Sequence, residues 1–450
     1  MGGGLIAYVV TLALVASGGA VAHANEPIWT IDDARQLVRT AQSDTQNDGE
    51  LQASAQLRVD SEYKIATRIQ AKVSTARLGA ASSLQVIDVA SGDVIYQRKP
   101  AMARTVASNT KLLTAVAALH SLSPKQRFET TITRRPGKAT VHFVSGGDPL
   151  LTRGKLRKLA RQTADDIKRD NPGRKKITVK LDDSLFKGAR KHKSWRQGGY
   201  NLGTIQPVRA TARAKIRVKD SSMSAARAFA VYLDSYLGKS MSVRYAGRAQ
   251  APRRAVTVAT VRSKRVKKLV RLVLLNSDNQ VAEVLLRHIA LAEGRKPTFK
   301  GGARATLQVL RRLGIDTTEV TMIDGSGLSP LNRMTPRFLT SVLRLAADPA
   351  HKELRSILYQ GSALPVAGRT GTLRASYGRF TSAEARCGAG HILAKTGNLD
   401  YEIALSGYAV GSDGRLKAFS ILVNSVRGSA KVTARQTMDE VAAAISGACA

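Results

Sequence analysis

Aromatic side chains are scarce in this sequence, at 5%, and there are only two cysteines. That cysteine content excludes a disulfide-framework scaffold. The seven histidines are scattered, with no His/Cys cluster at zinc spacing, so the sequence offers no protein-built metal site. Acidic residues are few: 33 Asp and Glu stand against 71 Lys and Arg, a formal charge of +38. Such an excess calls for a polyanion, whether nucleic acid, an anionic membrane or a phosphate-bearing polymer. Nucleic acid would need a recognition motif or an aromatic stacking surface, and neither is present, so no nucleic-acid partner is expected. Also missing are a G-x-S-x-G elbow, a G-x-x-x-x-G-K-[ST] loop, an H-E-x-x-H pair and a complete G-x-G-x-x-G. No metal and no cofactor is called for.

Across 450 residues, 43% are apolar, enough to bury one large core or two to three ordinary ones. Residues 5–16 form an apolar run, followed by small residues and Ala22-His23-Ala24. That pattern reads as a signal peptide over residues 1–24, placing the protein on the outer side of the membrane, soluble or peripherally attached. Residues 25–80 read as a helical and linker segment, with helical apolar spacing at Ile65, Ile69 and Val73 and linker-like composition over 43–56.

Strand text begins at Leu84 and turns at Ser91-Gly92-Asp93 into Val94-Ile95-Tyr96, a β-hairpin. A second hairpin spans 403–423 around Gly411-Ser412-Asp413-Gly414, and an amphipathic helix closes the chain. Residues 110–122 read as a buried helix. Strands at both ends with helices between them predict an α+β domain, antiparallel sheet flanked by helices, over 81–124 and 269–450. Residues 125–268 differ: 37 Lys and Arg against 9 Asp and Glu supply 28 of the net 38 charges. Short strand-like pieces punctuated by Pro and Gly make this a mainly β, basic insertion.

Three short motifs carry the chemistry. Ser108-Asn109-Thr110-Lys111 opens the buried helix, where positions i and i+3 stack, so the Lys111 amine reaches the Ser108 hydroxyl. A serine is a poor nucleophile until a base takes its proton, and a lysine with a lowered pKa can do so. Ser277-Asp278-Asn279 follows an apolar run and precedes a helix; its hydroxyl could relay a proton and its Asn279 amide could hold a substrate amide. Lys395-Thr396-Gly397 ends a strand, offering a cation and a hydroxyl to a carboxylate, with a glycine that permits close approach. Each has a simpler account taken singly: an N-capping serine, a turn, a strand end. Together and in this order they form the signature of penicillin-binding proteins and serine β-lactamases.

The surrounding text resembles the class C low-molecular-mass penicillin-binding proteins, D-alanyl-D-alanine carboxypeptidases/endopeptidases of the penicillin-binding protein 4 type. The resemblance runs from about residue 80 to about residue 430. It includes Ser145-Gly146-Gly147-Asp148-Pro149, Ala282-Glu283, Asp324-Gly325-Ser326-Gly327-Leu328-Ser329 and Leu364-Pro365-Val366-Ala367-Gly368. It implies the serine β-lactamase/transpeptidase-like fold, with Ser108, Lys111 and Ser277 catalytic and Asn279, Lys395, Thr396, Gly397 and Asn398 binding substrate. It also implies peptidoglycan stem peptides and β-lactam antibiotics as partners, with anionic wall polymers added by the charge.

Two features depart from the pattern. Asn398 stands after K-T-G where the family has Thr or Ser, and Arg369-Thr370-Gly371-Thr372 mimics the motif upstream. The second is set aside because Leu364-Pro365-Val366-Ala367-Gly368 precedes it where a strand is needed. The alternatives are a serine β-lactamase and a non-catalytic basic cell-wall-binding protein on a degenerate enzyme fold. Against the first, 169 residues separate Ser108 from Ser277, and no E-x-x-x-N follows Ser277. An oxidising exterior would pair Cys387 with Cys449.

Overall fold

Apolar strand text at the two ends of the chain meets in one sheet. The computed structural model describes residues 49–170, 175–198, 201–239, 241–361 and 363–449; the signal-peptide expectation for 1–24 lies outside them. The described residues open with α1 (Gly49–Lys72), β1 (Ser82–Asp88), β2 (Val94–Arg98), β3 (Arg104–Thr105) and α2 (Thr110–Ser121). The inserted region supplies β4 (Glu129–Arg134), β5 (Thr140–Val144), β6 (Asp148–Leu151), α3 (Arg153–Asp170), β7 (Lys176–Asp182), β8 (Thr211–Arg213), α4 (Ser221–Leu237), β9 (Ser242–Arg248) and β10 (Val256–Arg262). The return runs through α5 (Val266–Leu275), α6 (Asn279–Ala292), α7 (Phe299–Arg312), β11 (Arg333–Met334) and α8 (Pro336–Ala347). It closes with β12 (Ile392–Asn398), β13 (Ile403–Val410), β14 (Leu416–Val423) and α9 (Gly428–Ile445).

The main sheet has the order β12-β13-β14-β1-β2, antiparallel throughout. Side chains alternate between its two faces. Leu84, Val86, Leu405, Phe419 and Ile421 pack with α1 and α9, while Ile87, Ala404, Tyr408, Ala418 and Leu422 pack with α2 and α5–α8. Both faces are therefore covered, which is why β13 and β14 read as near-continuous apolar text rather than as an alternation. On α1, Ile65, Ile69 and Val73 form the buried stripe. The linker-like stretch is helical from Gly49 onward. Cys387 and Cys449 form the expected disulfide, Cα atoms 5.2 Å apart, tying the segment before β12 to the end of α9.

The insertion is richer in helix than its sequence suggested. Its sheet, β10-β4-β5-β7-β9, is antiparallel at β10/β4 and β4/β5 but parallel at β5/β7 and β7/β9. Parallel neighbours need crossovers, and α3 and α4, 18 and 17 residues long, provide them. On α3 the apolar stripe Leu156, Leu159, Ala160, Ala164, Ile167 is complete and buried. Lys and Arg on its outer face had hidden that stripe.

Candidate active site

Ser108 lies in a 3₁₀ turn, Ala107–Asn109, that runs directly into α2. Ala107 before it holds φ +46°, a left-handed conformation costly for a residue with a Cβ. Two glycines let the surroundings enforce it. A Cβ on Gly327 would fall 1.8 Å from the Ala107 carbonyl oxygen, and one on Gly397 would fall 2.7 Å from that of Val106. The K-T-G glycine thus allows β12 to press against the turn that carries Ser108. Asn109, the first of the two variable residues of S-x-x-K, is wholly buried and donates from Nδ2 to Ser406 Oγ at 2.9 Å, anchoring the turn to β13 of the sheet.

The three motifs meet. Lys111 Nζ donates to Ser108 Oγ at 2.8 Å and to Asn279 Oδ1 at 2.7 Å, and also to the Ser326 carbonyl. Ser277, another non-glycine residue at positive φ (+55°), turns its hydroxyl to Lys395 Nζ at 3.1 Å. Asp278 caps α6, accepting from the Val281 N–H at 2.9 Å, and so holds Asn279 at the helix mouth. Asn279 Nδ2 donates to the Thr204 carbonyl at 3.2 Å, bringing the insertion to the site's edge. Thr396 faces outward from β12. Asn398 shares its face by the two-residue period and is exposed.

Both lysines are entirely buried. Burial lowers Lys111 to about 8, against the opposing pull of Asp324, Glu283 and Asp278. Burial, then the Lys111 charge and Arg379, push Lys395 well below the usual range for an amine. An amine near neutrality, 2.8 Å from a hydroxyl, can take up its proton.

Sequence reasoning missed several residues that complete this arrangement. The Asp324–Ser329 loop entered the sequence reading only as matching text, with no role in the site. Instead its Ser326 carbonyl holds the Lys111 amine, while Asp324 organises the loop by accepting from Gly327 N (2.8 Å), Ser329 N (2.7 Å), Asn332 Nδ2 (2.9 Å) and Trp195 Nε1 (2.8 Å). The mimic motif at Arg369 lies along β12: Ala394 N donates to Pro365 O at 3.0 Å and Ala367 N to Ile392 O at 2.9 Å. That course puts the Thr372 hydroxyl 2.7 Å from the Thr396 hydroxyl. The last hydroxyl of the rejected motif thus stands beside the accepted one. No local sequence signal marks it. Among the described residues one acidic group has metal-site size, Glu62, Asp88 and Asp413, and the Lys417 ammonium already sits among its carboxylates.

An S-x-x-K serine at the mouth of a buried helix, facing an S-x-N loop and a K-T-G edge strand of an antiparallel sheet, defines the β-lactamase/transpeptidase-like class of serine enzymes. Within that class the D-Ala-D-Ala carboxypeptidase 3 (S13) family matches residues 65–213 and 201–445, and the chain belongs to it. It is a serine D-Ala-D-Ala carboxypeptidase of the penicillin-binding protein 4 type. Carboxypeptidase DacB of Mycolicibacterium smegmatis is 28% identical over 401 residues, covering 85% of this chain and 83% of that protein. Carboxypeptidase Rv3627c of Mycobacterium tuberculosis is 30% identical over 373 residues, 80% of this chain and 78% of the relative. In fold, the chain is similar to penicillin binding protein 4 (dacB) of Haemophilus influenzae, TM-score 0.67 at 22% identity, over 82% of this chain and 98% of that one.

Proposed function

We propose that Ser108 is the acyl-enzyme nucleophile of this carboxypeptidase, that Lys111 is its base, and that the substrate is the D-Ala-D-Ala end of a peptidoglycan stem peptide. The observation that carries this is the buried Lys111 amine, lowered to about 8 and 2.8 Å from Ser108 Oγ. Ser108 Oγ attacks the penultimate D-alanine carbonyl while its proton passes to Lys111. The resulting oxyanion lies between the backbone N–H groups of Ser108 and Asn398, donors that need no particular side chain. The C–N bond then breaks, and the departing D-alanine amine takes a proton relayed through Ser277 and Lys395. Water hydrolyses the ester and restores Ser108. Asn279 holds the substrate's peptide amide, exchanging its contact with Thr204 for it. Lys395 and Thr396 receive the terminal carboxylate, with Gly397 allowing the approach. A β-lactam opens on Ser108 by the same step, but its amine stays tethered and shields the ester from water.

Labelling with a fluorescent penicillin, followed by mass spectrometry of the adduct, tests this. Ser108→Ala is expected to lose both label and D-alanine release while staying folded, since an N-terminal hydroxyl contributes at most about 2 kcal/mol to a helix. Lys111→Ala should slow acylation by orders of magnitude. A mass increment on another serine, or label retained by Ser108→Ala, overturns the assignment.

Export and attachment to anionic wall polymer are parts of the same proposal. The disulfide suits an oxidising compartment, and among the described residues no helix is long and apolar enough to cross a membrane. At the root of the insertion, the 124–128 and 263–267 segments are clipped together by Val266 N to Gln126 O at 2.9 Å and Ser263 N to Phe128 O at 2.8 Å. There Arg127, Lys264, Arg265, Lys267 and Lys268 line a recess of about 290 Å³ that has no carboxylate in its wall.

A further inference from the structure

Helix α6 brings a carboxyl group to the site from behind. Glu283 is wholly buried, and its Oε1 accepts from the Gly325 N–H at 3.0 Å and the Ser326 N–H at 2.7 Å. Ser326 in turn gives its carbonyl to Lys111 Nζ, and Lys111 donates to Ser108. One chain of contacts therefore runs Glu283, Ser326, Lys111, Ser108. The loop lies hard against α6 at this point: a Cβ on Gly325 would fall 2.9 Å from Leu286 Cβ and 3.0 Å from the Ala282 carbonyl oxygen. Asp324, the loop's own acid, is taken up by its four donors from Gly327, Ser329, Asn332 and Trp195. The second Glu283 oxygen, Oε2, has no hydrogen-bond partner, which is unusual for so deeply buried a group.

We propose that Glu283 is a positioning residue for the acylation step: it holds the backbone of residues 325–326 so that the Ser326 carbonyl aims the Lys111 amine at Ser108. The charged groups facing it are Asp324 from the loop, Arg287 one turn further along α6, and Lys111 from α2. Burial, reinforced by the Asp324 carboxylate, raises Glu283 well above the ordinary carboxylate range, which favours its protonated form. Its position is thus filled by an acceptor that adds no second negative charge beside Lys111. An ionised carboxylate in that place would hold the proton on Lys111 and keep the base from working. The inference rests on Lys111 as the base.

The test uses three chains, wild type, Glu283→Ala and Glu283→Gln, with penicillin acylation and D-alanine release measured across pH. Glu283→Ala removes the acceptor for two buried N–H groups. It should reduce kcat by about 100-fold, the scale of a small misplacement in an active site, and change KM far less. Glu283→Gln keeps an acceptor oxygen and should recover most of that loss. Its acylation rate should also rise at lower pH than wild type, because no carboxyl at position 283 can then ionise and retain the Lys111 proton. Full activity in Glu283→Ala, no recovery in Glu283→Gln, or a Glu283→Gln pH profile superimposed on wild type each overturns the proposal. If Glu283→Ala does not fold, Glu283→Gln still decides through its pH profile. A Lys111→Ala control separates the two readings: if that variant acylates normally, the base assignment has failed, and the Glu283 proposal falls with it.

Discussion

Two wholly buried amines, Lys111 and Lys395, give the site its pH dependence. Burial disfavours the ammonium form of each, so Lys111 deprotonates near 8 rather than in the ordinary lysine range. With the neutral amine as the proposed base, the rate of acylation by penicillin is expected to rise with pH, reach half its maximum near 8 and level off above it. At pH 7 about a tenth of the sites hold the neutral amine. Rates of label incorporation between pH 6 and pH 10 check this, and a rate that falls or stays flat through 8 contradicts it. The pairing of Ser108 with Lys111 was legible because three residues along a helix return to the same face. The contacts of Ser326 and Thr372 were not, because they depend on how loops 215 and 24 residues away in sequence return to the helix and the strand.

Hairpins and helices were legible where chemistry acts locally, and illegible where charge disguised packing. The turns at Ser91-Gly92-Asp93 and Gly411-Ser412-Asp413-Gly414 announced β1–β2 and β13–β14. The buried charges at the ends of those hairpins were not announced. Lys417 on β14 is fully buried, its Nζ 2.9 Å from Asp88 and 2.7 Å from Asp413, while Arg415 Nε reaches Asp88 at 2.7 Å. Removing one member of such a buried cluster leaves the others uncompensated. Asp88→Ala is therefore expected to cost about 3–5 kcal/mol in urea unfolding. Adding Lys417→Met should deepen that loss rather than restore it, because it leaves the buried Asp413 carboxylate without its cation. A cost below about 1 kcal/mol for Asp88→Ala, the level of an exposed ion pair, would show that the cluster contributes little.

At the scale of the whole molecule, the charge is segregated: 28 of the 38 net positive charges fall in residues 125–268. The five-cation recess lies at the foot of α5, whose ten residues end beside Asn276 and the Ser277 loop. At 1.5 Å per residue, a polymer held there lies roughly 15 Å along the helix from that loop. Binding to purified cell wall should fall steeply as salt is raised, as screening of exposed charges requires. Replacing Lys264, Arg265 and Lys268 together by Glu should weaken binding without changing D-alanine release from a soluble peptide. Binding that ignores salt, or survives the triple replacement unchanged, counts against an electrostatic tether.

By itself the sequence determined the chemistry's vocabulary: Ser108-x-x-Lys111, Ser277-x-Asn279, Lys395-Thr396-Gly397, the two hairpins, and the sites where glycine permits close approach. These follow from side-chain type and from periods of 2 and 3.6 residues, which act over a few positions. The tertiary structure alone decided which buried groups face one another. It set Glu283 beneath Ser326, Thr372 beside Thr396, Lys417 among three carboxylates, and two helical crossovers where basic text suggested mainly strands. Desolvation and pKa depend on everything that surrounds a group in space, and only folding brings those surroundings together.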